Sequence, residues 1–187
     1  MVKIGEKVPD FKLKALINDE IKEVNLHDFS GKWSVLIFYP ADFSFVCPTE
    51  LEDAAKHYEE FTKLNAEVMS ISTDTEYSHK AWHDTSPAIR KIQFPMLADP
   101  SGKMCREFGT YLEEDGLSLR GTFIIDPDGV VKTIEMHDNS IGRNIAETLR
   151  KLKAAIYTRE HPNEVCPVNW EPGNKTLTPG ADLVGKI

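Results

Sequence analysis

The stretch Trp33-Ser-Val-Leu-Ile-Phe-Tyr39 leads into Pro40-Ala-Asp-Phe-Ser-Phe-Val46 and then into Cys47-Pro48. The first part is a continuous β-prone run, which is typical of a strand that is buried on both faces of a sheet. The second part has the composition of a turn, and Pro48 suits the first position of a helix. The sequence therefore predicts that Cys47 follows a central strand and that its sulfur lies at a helix N-terminus.

Outward from this stretch, the spacing of apolar residues predicts alternating strands and helices. Their order predicts an α/β fold with a central mixed β-sheet flanked by helices, of the thioredoxin-like type. The predicted elements are a helix from Pro48 to Leu64, a strand from Ala66 to Ser72, a helix from Tyr77 to Ile89 that ends or kinks at Pro87, a short helix within Asp99 to Phe108, a hairpin of Arg120 to Asp126 with Val130 to Met136, and a long helix marked by Ile141, Ile145, Leu149, Leu152 and Ile156.

The chain has 187 residues, which suits one main domain. Beyond His161 the periodicity is lost, and Pro, Gly, Asn and Trp become frequent. We therefore expect a domain over residues 1–160 and an extended C-terminal arm over residues 161–187. The arm's composition indicates that it needs another surface to pack on.

Charge and hydropathy exclude several classes of partner. The formal net charge is −8, which disfavours a nucleic-acid partner because phosphate binding needs clustered cations. The longest apolar run, Trp33 to Tyr39, is too short to span a bilayer, so no membrane partner is expected. Residues 1–10 contain no apolar targeting segment, and a cytoplasmic location is expected.

The cysteines, Cys47, Cys105 and Cys166, have no CxxC or zinc-ligand spacing. A thiolate is the reactive form of cysteine, and helix N-termini favour it through the dipole and the unpaired N–H groups. Free cysteines are also commonly buried and inert. Position alone leaves both interpretations of Cys47 open, whereas Cys105 lies in a predicted helix without a motif and is expected to be a core thiol.

The residues around Cys47 resemble the active-site signature of the peroxiredoxins. That signature is a Pro, three residues, a Thr or Ser, two residues and the reactive Cys, and here those positions are Pro40, Ser44 and Cys47. Arg120, in Leu119-Arg-Gly-Thr-Phe123, matches the family's active-site arginine. His161-Pro-Asn-Glu-Val-Cys-Pro167 resembles the resolving-cysteine segment of typical two-cysteine members, and Leu183 to Ile187 is similar to bacterial alkyl hydroperoxide reductase peroxidase subunits.

The resemblance implies a thiol-dependent peroxidase that needs no cofactor or metal. Cys47 would attack one peroxide oxygen, and Arg120 would stabilise the thiolate and the charge that develops on the peroxide. Glu50 and Arg143 are implied to hold Arg120 in place.

Pro40 and Ser44 complete the implied site. Pro40 would shield the thiolate without offering a competing N–H group, and the Ser44 hydroxyl would bond to the thiolate and the peroxide. Most relatives have Thr at the position of Ser44, so this hydroxyl lacks the methyl group that stiffens χ1.

Cys166 is implied to be the resolving cysteine, which converts the Cys47 sulfenic acid to a disulfide with another subunit. The expected partners are a hydroperoxide, a flavoprotein disulfide reductase or thioredoxin as reductant, and a second copy in a homodimer, with dimers assembled in a ring of five. The candidate contact residues are Phe43, Phe45, Tyr77 and Trp82, for which core packing is an equally good interpretation.

The same residues argue against most other functions. A dithiol oxidoreductase needs a second cysteine three residues after the first, where Glu50 stands. A holdase scaffold remains an alternative or additional role. A cysteine hydrolase lacks a Cys–His signature. His79 and His83 could share a helix face, but with no third ligand nearby a solvated face is expected rather than a metal site.

Overall fold

The computed structural model describes residues 1–186, in which strands and helices alternate along most of the chain. The strands are β1 (Lys12–Ile17), β2 (Glu20–Asn25), β3 (Trp33–Phe38), β4 (Ala66–Ser72), β5 (Met96–Ala98), β6 (Tyr111–Leu112), β7 (Leu117–Ser118), β8 (Arg120–Ile125) and β9 (Val131–His137). The helices are α1 (Cys47–Lys63), α2 (Glu76–Thr85), α3 (Lys103–Phe108) and α4 (Ile145–Glu160), with short 3₁₀ turns at Leu26–Phe29, Ile89–Lys91 and Ala181–Leu183.

Within residues 1–186, seven strands form one mixed sheet in the order β2-β1-β5-β4-β3-β8-β9. Strand β3 pairs in parallel with β4 and antiparallel with β8, and β4 pairs in parallel with β5. The predicted mixed sheet is therefore confirmed. The start of β8 and the C-terminal end of β3 lie at the same end of the sheet, because the two strands run in opposite directions.

Strand β3 is buried along its whole length, as its unbroken apolar run predicts. On one side of the sheet Phe38 packs with Phe108 and Phe123, at ring-centroid distances of 5.1 and 5.5 Å. Phe108 and Phe123 meet edge to face at 4.9 Å. This aromatic cluster belongs to the core that fixes the strand from which the Cys47 loop departs.

Most predicted elements are confirmed, and the differences have physical causes. Ile141 is wrong as a helix residue, because α4 begins at Ile145 and Ile141 is 56% exposed. Helix α2 ends at Thr85, before Pro87, as the proline requires. The β1–β2 hairpin was not predicted; its turn uses Asn18 and Asp19, both with positive φ.

The chain divides into two compact units, Met1–Ile145 and Ala146–Ile187. In the second unit Trp170 is only 2% exposed, and its ring lies 4.8 Å from that of Tyr157 on α4. Arg150 also donates to the Trp170 carbonyl at 2.9 Å. Trp170 of the arm therefore packs on α4 of the same chain, while Val168 remains 88% exposed.

In the part of the chain that the structure describes, no helix combines the length and apolar character that crossing a membrane requires.

Candidate active site

Cys47 is the first residue of α1, directly after the loop that leaves β3. Its side chain is fully buried. Pro48 follows in the first turn, where a missing N–H costs nothing. The sequence pattern therefore predicted the local structure around this cysteine correctly.

Arg120 begins β8 and brings a cation to the Cys47 sulfur. Its Nη1 lies 3.3 Å from Cys47 Sγ and 2.8 Å from Glu50 Oε2. On the other edge of the guanidinium, Nε and Nη2 donate to the Asn139 carbonyl at 3.0 and 2.8 Å. The side chain is only 3% exposed, so these bonds hold the charge in a site with little competing water.

Glu50 joins two arginines beneath this site. Arg143 donates to Glu50 from its backbone N at 2.8 Å, from Nε at 3.0 Å and from Nη2 at 2.9 Å. Burial would raise the pKa of the Glu50 carboxyl, but the hydrogen bonds and charge of Arg143, and then the charge of Arg120, lower it overall. The carboxylate thus stays ionised and fixes the orientation of Arg120.

The Ser44 hydroxyl is in an arrangement that the sequence did not predict. Its Oγ donates to the Ala41 carbonyl at 2.7 Å. Because a hydroxyl has one proton, Ser44 has only its lone pairs left for a peroxide in this arrangement. Pro40 is buried at the start of the same loop.

A buried polar network anchors the loop that precedes Cys47. His79 Nδ1 and Tyr39 Oη each lie 2.8 Å from the Asp42 carboxylate, and His79 Nε2 lies 3.1 Å from the Leu97 carbonyl. The Asp42 backbone N–H donates to Asp74 at 2.8 Å. The expectation of a solvated His79 is therefore wrong, since its side chain is fully buried.

The comparison with protein-family models identifies the chain. Residues 4–134 match the AhpC/TSA family, and residues 157–185 match the C-terminal domain of 1-Cys peroxiredoxin. The chain belongs to the AhpC/TSA family.

Curated relatives and solved structures agree with this assignment over nearly the whole chain. Alkyl hydroperoxide reductase C of Pseudomonas aeruginosa is 55% identical, and that of Bacillus subtilis 53%, each over 98% of both chains. A crystal structure of Enterococcus faecalis AhpC has a TM-score of 0.87 at 48% identity, covering 89% of this chain and all of that one.

A more distant structure, reduced 2-Cys peroxiredoxin of Plasmodium vivax, has a TM-score of 0.92 at 33% identity, covering 97% of this chain and 96% of that one. The predicted peroxiredoxin fold and family are confirmed, and the protein is a thiol-dependent peroxidase. These relatives give no support to the holdase alternative.

The other two cysteines of this AhpC/TSA chain differ from Cys47 and from each other. Cys105 is fully buried, and burial followed by the nearby Asp99 charge raises the pKa of its thiol to about 12. It is an unreactive core thiol, as predicted. Cys166 is partly exposed; burial raises its pKa, with Arg150 opposing and Glu164 reinforcing that shift.

Besides Asp84, which follows it in the chain, His83 has an acidic neighbour, Asp19, that the sequence did not reveal. Carboxylate oxygens of Asp19 and Asp84 and a ring nitrogen of His83 lie within 4.8 Å of one another. The expectation that no third ligand lies nearby is therefore wrong. Lys80 Nζ already lies 2.5 Å from Asp84 and 3.9 Å from Asp19, so a cation is supplied by the chain itself.

Asn139 is the site residue that sequence reasoning missed. It acts through its backbone carbonyl, which every residue has, so no side-chain pattern marks it. Its position was nevertheless implicit in the hairpin register, because Arg120 pairs with His137 and Asn139 follows two residues later.

The buried pair of His79 and Asp42 leads to a pH prediction. Burial would lower the pKa of His79, but Asp42, the Leu97 carbonyl and Asp74 raise it overall. The stabilisation from this pair is therefore full below about pH 6.5, the ordinary histidine pKa, and is lost as pH rises through the higher folded value. We expect His79→Gln to reduce the free energy of unfolding by about 1–3 kcal/mol at pH 6.

Urea unfolding of both proteins at pH 6 and pH 9 checks this expectation. The difference between them should be smaller at pH 9. An equal or larger difference at pH 9 contradicts the assignment of a protonated His79 to this network.

Proposed function

We propose that this peroxiredoxin reduces hydrogen peroxide and alkyl hydroperoxides with the Cys47 thiolate. The observation that carries the proposal is the buried Arg120 Nη1, 3.3 Å from Cys47 Sγ. A guanidinium at this distance stabilises a negative sulfur and cannot lose its own charge in water. The names of the relatives, alkyl hydroperoxide reductase C, support this substrate class.

Arg120 has one donor to spare for the substrate. Of its five N–H groups, two go to the Asn139 carbonyl, one to Glu50 and one to Cys47, which leaves one on Nη2 without a partner among residues 1–186. A buried donor without a partner is unfavourable and favours a ligand that accepts from it. We assign this N–H group to a peroxide oxygen, and the lone pairs of Ser44 Oγ to the peroxide proton.

The first step follows from these groups. The thiolate attacks the protonated terminal oxygen of the peroxide in line with the O–O bond. An S–O bond forms as the O–O bond breaks, so Cys47 becomes a sulfenic acid and the other oxygen leaves as an alkoxide or hydroxide. That oxygen takes a proton from water to give the alcohol or water, while Arg120 stabilises the charge in transit.

Cys166 is proposed to be the resolving cysteine, acting on Cys47 of a second subunit. Its thiolate attacks the sulfenic sulfur, the S–S bond forms, and the hydroxyl group leaves as water after protonation. Cys47 is fully buried in the first turn of α1, so this turn must unwind before the disulfide can form. The arm around Cys166 must loosen in the same step.

The proposed cycle also needs a reductant and a second subunit. The disulfide would be reduced by a flavoprotein disulfide reductase or thioredoxin, and the protein would act in the cytoplasm, where thiols stay reduced. Homodimers in a ring of five are proposed, with Phe43, Phe45 and Tyr77 as contact candidates, since they are 58%, 93% and 64% exposed. Trp82 does not suit such a contact, because it is 3% exposed and packs on Tyr39 and Phe43.

One equivalent of hydrogen peroxide tests the function directly. We expect reduced protein to become a covalent dimer linked between Cys47 and Cys166, with Cys105 still a free thiol. Intact-mass analysis and peptide mapping without reductant read out both facts, and Cys47→Ser is the control that should not react.

Each other outcome is informative. A monomer with a Cys47 sulfenic acid keeps the peroxidase but removes Cys166 as its resolving partner. An unoxidised Cys47 contradicts the proposed function.

A further inference from the structure

The turn that follows β9 supplies the carbonyl that holds Arg120. The Asn139 oxygen accepts two hydrogen bonds from the guanidinium, so a movement of this peptide group moves the charge that faces Cys47. The Asn139 side chain does not anchor the turn through its oxygen, because Oδ1 is buried and accepts no hydrogen bond from residues 1–186. The position of the carbonyl must therefore be set by the neighbouring residues.

Asp138 provides that anchor. Its Oδ1 accepts hydrogen bonds from the Ser140 backbone N–H at 2.8 Å and from Ser140 Oγ at 2.6 Å. The Asp138 carbonyl accepts from the Ile141 N–H at 3.0 Å, which closes the turn around Asn139. An aspartate that bonds to the backbone two residues later is a common means of fixing a turn.

We propose that Asp138 and Ser140, two exposed residues, are positioning residues that set the alignment of Arg120 with Cys47 by holding the Asn139 carbonyl. The inference rests on the proposed function, since it concerns the arginine of the peroxide-reducing step. Neither residue belongs to the peroxiredoxin signature quoted from the sequence, and neither is expected to contact the peroxide. Their effect passes through one peptide group.

Two physical routes from Asp138 to Arg120 must be separated. The first is the hydrogen bonding of the turn, which needs an acceptor at Oδ1. The second is the negative charge: the pKa of Asp138 is lowered first by its hydrogen bonds from Ser140 and, to a smaller extent, by the charge of Arg120. Asn at this position keeps the acceptor and removes the charge, whereas Ala removes both.

The experiment measures the rate of Cys47 oxidation by hydrogen peroxide in single turnover, together with the melting temperature of each variant. We expect Asp138→Ala to be about tenfold slower, since small misplacements of a catalytic group have effects of this order. Asp138→Asn should stay within about twofold of the unsubstituted protein, and Ser140→Ala should lie between them. The matched control is Asp115→Ala, another exposed aspartate in the turn between β6 and β7, which should not change the rate.

A purely structural role of Asp138 would lower the melting temperature and leave the rate of the folded protein unchanged. That result overturns the proposal, as does a rate for Asp138→Asn as low as that for Asp138→Ala, which would assign the effect to charge. If the unsubstituted protein does not react with peroxide, the proposed function fails first, and this outcome is distinct from a failure of the positioning role.

Discussion

Replacing Arg120 by Lys should slow the reaction of Cys47 with hydrogen peroxide by about 10²–10³-fold, the effect of removing one preorganised donor from an oxyanion site. Lysine keeps the positive charge but cannot reproduce the planar fork that reaches Cys47, Glu50 and the Asn139 carbonyl at the same time. The ammonium group would also leave some of these acceptors unpaired. Stopped-flow measurement of thiol oxidation at several peroxide concentrations gives the second-order rate constant.

Arg106→Lys is the control for this experiment. Arg106 is an exposed arginine paired with Glu113, and its replacement should leave the rate constant unchanged. A rate constant for Arg120→Lys within threefold of the unsubstituted protein would show that charge alone is sufficient. The argument from the geometry of the guanidinium would then be wrong.

The sequence predicted the fold best where a long apolar run was followed by clear turn and helix-start residues. The apolar run over Trp33 to Tyr39, followed by a turn and Pro48, was enough to place Cys47 at the start of α1. Strand β5 was not predicted, because Met96–Ala98 is too short for a periodic pattern of apolar residues to appear. The β1–β2 hairpin was not predicted for another reason: β2 is an edge strand whose residues are mostly exposed and half of them charged.

The sequence could predict the residues that act in the candidate site through their side chains, but not those that act through the backbone. Glu50 and Arg143 were implied by resemblance, and in the structure Glu50 pairs with Arg120 while Arg143 pairs with Glu50. The burial of His79 could not be predicted, because His83, four residues further along the same helix face, is also polar and makes that face resemble a solvated one. Asn139 and its anchor Asp138 act through backbone geometry, which depends on how the turn after β9 closes.

Glu50→Gln should destabilise the protein strongly, by about 3–5 kcal/mol, as expected when one member of a buried ion cluster is removed. The Glu50 side chain is only 2% exposed, and it compensates the charges of Arg120 and Arg143, which are equally buried. An amide keeps the shape and one acceptor oxygen, but it leaves two guanidinium groups without a counter-charge. Chemical denaturation at pH 7 measures the loss.

The matched control lies two residues further along the same helix. Glu52 is 28% exposed on its side chain and pairs with Lys91, so Glu52→Gln should leave the free energy of unfolding almost unchanged. The pH dependence gives a second check. Because the pKa of Glu50 is lowered in the folded protein, its contribution is complete above about pH 4.3, the ordinary glutamate value, and is lost as pH falls through the folded pKa.

The difference in stability between the unsubstituted protein and Glu50→Gln should therefore be constant between about pH 6 and pH 8 and should shrink in acid. A difference at pH 7 no larger than that of Glu52→Gln would mean that the arginines find other partners when the carboxylate is lost. The orientation of Arg120 would then be fixed mainly by the Asn139 carbonyl, and therefore by the turn that Asp138 closes.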